Sequence, residues 1–369
     1  MTELALLLRP AAGGVYVVST GREEQAALQQ RLYGVTSDAE VRARFELALG
    51  QIAEARGVLL GIPSDVGAGY VRGANFGPQA VRGALLDADA DWRNRAAEVG
   101  LVDIGDVFVV PQLLHDEMLS EAQKADCRRA LYPGLDAALP VSPLSMAERA
   151  LDIVFELNSH VVPFVIGGDH STAWPVVAAL ARARQKPFGI VQPDAHTDLL
   201  AERLGIKYCF ATWSYHANEL LGRGGRLVQV GTRASGQPRA HWERTLGVRQ
   251  FWAEDCCARP EQVIDEIVAG LAQAGVQGVY FSNDIDGTDA AYADATGTPE
   301  PRGLEPEFVI ELVRRLGREP GLIGGDVMEV APLAARSPGG GERTVRLAAR
   351  YLRETIAAAL AEPALRGGA

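Results

Sequence analysis

The sequence predicts one α/β domain with a mainly parallel sheet of about eight strands and helices on both faces, and three observations predict it. Short runs rich in Val, Ile, Leu and Phe recur along the chain and read as strands buried on both faces. Helical segments alternate with them, the pattern that builds a parallel sheet by crossover connections. Three of the strand runs, 161–166, 188–191 and 276–281, are each followed closely by a cluster of Asp and His. In an open parallel sheet, side chains beyond the carboxyl ends of neighbouring strands converge on one crevice. At 369 residues the chain can bury a sizeable core, and no repeat of roughly 20 to 50 residues divides it.

In chain order, residues 13–19 read as a strand and 37–56 as a helix, opened by Asp38 and carrying apolar Val41, Phe45, Leu47 and Ile52. Residues 58–62 are the first strand of the main sheet. The glycine-rich loop that follows enters a helix at Pro78, where proline suits a first helical turn. Without a Gly-Lys-Ser/Thr run, that loop is not a phosphate loop. Residues 101–104 are the next strand. The stretch 107–144, with Pro111, Pro133, Pro140 and Pro143 around a helix at 120–130, reads as an insertion. A helix over 145–158 follows, with Ser145 and Glu148 spaced as a capping box. Beyond strands 161–166 and 188–191 the alternation continues: a helix ending near Leu221, strand 227–230, a helix from Pro238, strand 249–252, helix 260–272, strand 276–281, helix 306–316, a strand over 322–327 and a last helix over 342–360.

Hydrophobic residues at 47% and charged residues at 22% are globular composition. A net charge of −11 speaks against a nucleic-acid or anionic-membrane partner, which needs a basic patch, and favours a cationic substrate. Cys127, Cys209, Cys256 and Cys257, with no Cys-x-x-Cys spacing, support neither a disulfide framework nor a zinc knuckle. The apolar run near the N-terminus is too short for a signal peptide and no later run reaches membrane-spanning length, so the expected protein is cytoplasmic.

The three clusters are Gly-Gly-Asp-His-Ser at 167–171, Asp-Ala-His-Thr-Asp at 194–198 and Ser-Asn-Asp-Ile-Asp at 282–286. His170, Asp194, His196, Asp198, Asp284 and Asp286 would face one another, four carboxylates and two imidazoles in the volume of a small ligand. Unpaired, those charges repel and lose solvation, and metal resolves both. Six such ligands hold two divalent ions about 3.5 Å apart if two carboxylates bridge them. An oxygen-rich set without thiolate favours two manganese ions over zinc or copper, with nickel, cobalt and iron as alternatives. A histidine outside such a cluster is more often structural, which is the expectation for His115, His160 and His241.

In these motifs, their order and their separations, the chain resembles the ureohydrolases (arginase, agmatinase and relatives). Thr-Gly-Thr-Pro-Glu at 296–300 with Gly303 and Leu304, and Gly-Asp-Val-Met-Glu-Val-Ala-Pro at 325–332, also resemble family segments; the likeness runs from about residue 57 to about residue 351. It implies an arginase-like three-layer fold, with residues 1–55 as an N-terminal extension and 56–369 as the catalytic domain carrying the insertion at about 107–144. It also implies a metal-dependent hydrolase acting on C–N bonds of linear amidines. Position by position, Asp194 and Asp284 would bridge the metals, His170 and Asp198 would complete one, and His196 and Asp286 the other. Asp198 would also hydrogen-bond the nucleophile, a water whose proton is lost near neutral pH between two cations. Glu329 would hold the guanidinium, whose polar atoms are all donors and need an acceptor-only partner. Thr296 lies in the segment that in the family closes over the site.

Two departures shape the expected substrate. After the second metal motif the family has a His-Gly segment whose histidine shuttles protons, and this chain has Cys209 and Phe210 there. His216 is the candidate to take over that catalytic role, and Trp213 beside it a candidate substrate contact. True arginases also place an asparagine two residues after the counterpart of Asp198, with nearby polar groups for the α-carboxylate and α-amine of arginine. Leu199 and Leu200 stand here instead, and an apolar pair cannot pair those charges. The expected substrate is therefore an arginine side chain within a peptide, converted to ornithine as peptide arginases do, with agmatine or another small guanidino compound as the alternative. The extension, the insertion and residues 213–218 supply material for an aromatic-lined groove. Hydrolysis of a formimidoyl or amide bond on the same scaffold would release ammonia or formamide in place of urea. A non-catalytic binding module has no need of six intact ligands. Homo-oligomers are common in the family.

Overall fold

Nine strands form a single sheet in the computed structural model, which describes residues 2–362 and Leu365. They are β1 (Leu8–Arg9), β2 (Gly57–Ile62), β3 (Leu101–Val107), β4 (Val162–Gly167), β5 (Gly189–Pro193), β6 (Leu227–Thr232), β7 (Arg249–Trp252), β8 (Val279–Asp284) and β9 (Leu322–Met328). Their order across the sheet is β1-β3-β2-β4-β9-β8-β5-β6-β7. Only β1 runs antiparallel, pairing Leu8 with Val107 and Arg9 with Asp106; every other neighbouring pair is parallel.

The central strands are apolar almost throughout because helices cover both faces. Alternate residues feed two cores. Leu59, Ile166, Val191, Phe281 and Val327 pack under the helices Gly77–Ala88, Pro260–Gln273, Pro306–Arg318 and Gly340–Ala359. Leu60, Val165, Ile190, Tyr280 and Met328 pack on the other side under Pro143–Leu157 and Ala173–Ala183. Each fully buried Val, Leu, Ile or Phe contributes about 1.5–3 kcal/mol, so the two cores hold the strand ends, and with them the ligands, in fixed positions.

Several elements differ from expectation. Residues 13–19 form no strand; Val15 makes a single bridge to Val109. Helices Thr2–Leu7, Arg22–Tyr33, Trp92–Glu98 and Ala253–Ala258 were not expected. Arg22–Tyr33 buries no residue, so it carries no apolar stripe for periodicity to detect. The helix expected over 37–56 stops at Gly50, capped at its start by the Ser37 hydroxyl, and a 3-10 turn Ile52–Glu54 follows. The helix expected from Ser145 begins at Pro143, and the Ser145 hydroxyl accepts the Asp116 N–H at 3.0 Å, tying the insertion down in place of a capping box.

Residues 1–55 add β1 to the edge of the sheet and lay the helix Asp38–Gly50 against β3. Gly105 is required at that junction: its φ is +83°, and a Cβ there would stand 2.1 Å from the Arg9 carbonyl oxygen. Towards the middle of the sheet, β4, β8 and β5 end in the ligand clusters, and β9, which ends beside Glu329, lies between β4 and β8.

Candidate metal centre

At the end of β4 the chain turns through Gly168, where a Cβ would stand 1.8 Å from the Ser64 carbonyl oxygen, so no other residue fits. Asp169 fastens the turn by accepting the N–H groups of Ser171 at 2.9 Å and Gly67 at 3.0 Å. His170 is thereby brought over the sheet, almost completely buried. Asp198 and Glu329 have φ of 53° and 61°, left-handed values uncommon outside glycine and typical of residues held by their surroundings for a task.

The six expected ligands meet in two groups that share one residue. His170 Nδ1 lies 3.2 Å from Asp194 Oδ2, 3.5 Å from Asp198 Oδ2 and 3.0 Å from Asp284 Oδ2. His196 Nδ1 lies 3.1 Å from Asp286 Oδ2 and 3.6 Å from Asp194 Oδ1. Asp194 thus presents one oxygen to each group, an arrangement that lets a carboxylate bridge two ions. Asp284 sits on the His170 side, with its Oδ1 accepting the Asp286 N–H at 2.9 Å.

These donors fit divalent cations. His170 Nδ1 is buried and makes no hydrogen bond, although three carboxylate oxygens surround it. Neighbouring ligands about 2.1 Å from one octahedral ion stand about 3 Å apart, which is the spacing seen. His170 Nε2 meets Ser282 Oγ at 3.1 Å, and that hydroxyl donates to Asp326 at 3.0 Å. With Nε2 carrying the proton, Nδ1 turns a lone pair to the carboxylates. Charge gives the same answer. Burial raises the carboxyls of Asp198, Asp284 and Glu329 well above their usual range, and neighbouring carboxylates add to it. Burial alone would lower the His170 and His196 rings, but the aspartates around them outweigh it and push both upward. The cluster is short of positive charge, and two divalent ions supply it.

Glu329 is buried beside the ligands. Its backbone N–H reaches the Gly168 carbonyl at 2.8 Å, and its Oε1 accepts the His170 N–H at 3.0 Å, so the carboxylate is locked to the end of β4. Thr296 is fully buried with a hydroxyl that has no partner. Two residues on, Thr298 donates to Asp286 Oδ2 at 3.0 Å.

Two expected site residues have other surroundings. Trp213, expected at the substrate, is 0% exposed. Its indole N–H donates to Asp198 Oδ2 at 3.0 Å, and its ring lies 4.4 Å from that of His170; it supports ligands rather than lining a groove. His216, expected as proton carrier, has Nε2 3.0 Å from the Ala201 carbonyl and packs among Trp174, Tyr208 and Tyr215. None of these is a ligand, and burial lowers the tendency of its ring to charge. Sequence reasoning missed Gln192, Ser282 and Asp326, which support ligands from within strands. Polar residues inside apolar strand runs were the available signal.

The model of the arginase family matches residues 55–358. The chain belongs to the arginase family. This arginase-family chain is 33% identical over 279 residues to the mitochondrial agmatinase of Gallus gallus, covering 74% of its own length and 73% of that protein's. It is 30% identical over 280 residues to the mitochondrial guanidino acid hydrolase of Homo sapiens, covering 74% and 70%. Among solved structures, proclavaminate amidino hydrolase from Streptomyces clavuligerus superposes with a TM-score of 0.64 at 29% identity, covering 85% of this chain and 92% of that one. Like its family, it is a hydrolase of the C–N bonds of linear amidines. Among the described residues no helix is long and apolar enough to cross a membrane.

Proposed function

We propose that this enzyme hydrolyses the guanidinium of an arginine side chain within a peptide, releasing urea and leaving ornithine, with two manganese ions as its cofactor. The observation that carries the substrate reading is the mouth of the site. The loop 67–73 spans it: Gly69 lies against the Phe210 ring, and a methyl on Gly297 would stand 2.9 Å from the Val71 carbonyl and 3.7 Å from Glu329 Oε2. In that loop Tyr70 is 97% exposed, and Leu204, in the segment before Phe210, is 95% exposed. Beside Phe210 a cavity of about 420 Å³ is lined by Leu113, Leu114 and Met118 of the insertion together with Leu204 and Ile206. Leu199 is turned into the core and Leu200 offers no polar atom beyond its backbone. The wall is mostly apolar, with Gln112, His115 and Arg203 as its polar members, and it suits a chain that continues past the guanidine. Among the described residues, none of the N-terminal extension lines this cavity.

When held by His170, Asp194, His196, Asp198, Asp284 and Asp286, divalent ions would supply an acidified water and a positive field at the guanidinium carbon. Glu329 orients the planar guanidinium, accepting its N–H groups with the oxygen not used by His170. Asp198, with Oδ2 held by Trp213, keeps one ligand oxygen in place beside the reacting carbon. Water oxygen adds to that carbon, the bond to the side-chain nitrogen breaks, and both protons of the water end on that nitrogen, giving urea and an ammonium group. Where the family's histidine falls, this chain has Cys209 and Phe210, neither of which is an imidazole that could shuttle a proton.

A second reading, a small guanidino compound, is favoured by the names of the relatives, agmatinase and guanidino acid hydrolase. The manganese-loaded protein is to be assayed for urea against free arginine, agmatine, guanidinobutyrate and an arginine-containing peptide. Urea from the peptide at the highest kcat/KM is expected. Urea only from a small compound overturns the peptide reading, and ammonia or formamide from a formimidoyl substrate overturns the guanidine reading.

A further inference from the structure

Three glutamines stand in line across the sheet, each inside an apolar strand: Gln192 on β5 pairs in register with Gln229 on β6, which pairs with Gln250 on β7. Gln192 and Gln229 are fully buried and Gln250 nearly so. Their side chains form one continuous chain of hydrogen bonds. Trp252 Nε1 donates to Gln250 Oε1 at 3.1 Å, Gln250 Nε2 to Gln229 Oε1 at 2.8 Å, Gln229 Nε2 to Gln192 Oε1 at 3.0 Å, and Gln192 Nε2 to Asp194 Oδ2 at 2.7 Å.

The direction of this chain is fixed from both ends. An indole N–H can only donate and a carboxylate can only accept, so each amide between them must present its oxygen towards Trp252 and its nitrogen towards Asp194. Successive bonds pointing the same way polarise one another, which strengthens the last N–H in the line. That last N–H falls on Oδ2 of Asp194, the carboxylate shared by the two ligand groups. Ser214 adds a donor to Gln192 Oε1 at 2.7 Å, and the Thr197 carbonyl, within the second motif, accepts from Gln229 Nε2.

We propose that Gln192, Gln229 and Gln250 are positioning residues for the metal pair: the amide ladder holds the bridging carboxylate of Asp194 in one orientation, and so ties the geometry of the centre to the edge of the sheet. Three buried amides are a costly way to fill strands that apolar residues would fill. Their common register and their end on a bridging ligand give them a use that packing does not.

The test compares the full-length protein with Gln192→Met and Gln250→Met, which keep volume and remove the amide. Mn2+ is titrated without substrate, following free Mn2+ and the spin-coupled signal of a bridged pair by electron paramagnetic resonance. Gln192→Met is expected to weaken binding by about 10- to 100-fold and to diminish the coupled signal, and Gln250→Met to do the same to a smaller degree. Rescue is expected in Gln192→His, whose ring N–H can replace the lost donor. If Gln192→Met folds and binds two coupled ions with unchanged affinity, the amides are core filling and the proposal fails. A loss confined to Gln192→Met would overturn the ladder beyond that residue. Because substrate is absent from these measurements, they stand or fall apart from the guanidine-hydrolase reading.

Discussion

Glu329 divides its two oxygens between the chain and the site. Oε1 accepts the His170 N–H, and Oε2 faces Gly297 across the mouth. Glu329→Gln keeps an oxygen for His170 and removes the charge. Losing a charge-assisted bond of about 1.5–3 kcal/mol should lower kcat/KM for a guanidino substrate by roughly 10- to 150-fold, with metal content and Tm nearly unchanged. Urea kinetics beside metal analysis checks this, and an unaltered kcat/KM would remove Glu329 from substrate binding. At this scale the sequence was informative where function and strand end coincide. His170, Asp194 and Asp284 directly follow or end apolar runs, so their convergence could be inferred from topology alone. Gln192 and Asp326 could not be placed in that way. Each is a polar residue inside a strand whose partner lies on another strand, and no local pattern states the register between them.

The helix Trp213–Leu220 shows how one element serves two neighbourhoods. Its first residue reaches the ligands through Asp198, while His216, three positions on, turns to Trp174, Tyr208 and the Ala201 carbonyl. Placing the helix after the second motif was possible from sequence. Assigning its side chains was not, because the loop 199–212 sets the angle at which it enters, and that loop carries no periodicity. His216→Ala should therefore cost about 1 to 2 kcal/mol of stability through the lost aromatic contacts, while Mn2+ stoichiometry and kcat hold within twofold. Thermal melting and turnover measured together decide it: a large fall in kcat at full metal loading would return His216 to the mechanism. The same limit explains the helix starting at Pro143. Spacing pointed to Ser145 as the cap, but a distant residue, Asp116, competes for that hydroxyl.

Across the whole molecule, the centre sets how stability answers to pH. Burial pushes the Asp326 carboxyl up to about 6 from its ordinary 3.8, and Asp198, Asp284, Glu329, His170 and His196 are raised too. A group whose folded pKa is raised gives full stability below its unfolded pKa and loses it as pH rises through the folded value. Metal-stripped protein should thus weaken with rising pH, for Asp326 between 3.8 and about 6, for Asp198 and Asp284 from 3.8 upward, for Glu329 from 4.5 upward and for the two histidines from 6.5 upward. Bound divalent ions compete with those same protons, so their stabilising effect grows with pH. Melting curves of chelator-treated and Mn2+-loaded protein from about pH 5 to pH 8 should diverge as pH rises; parallel curves would argue against ligation by these residues. The strand order carries one more consequence. β9 is the last strand of the sheet in chain order yet lies between β4 and β8, and without it the sheet falls into two four-strand halves, with His170 on one and His196 and the aspartates on the other. During synthesis the strand pairing that joins the two ligand sets must therefore wait for residues 322–328; a nascent chain that stops short of β9 has the residues for a metal centre and no sheet pairing to bring them together.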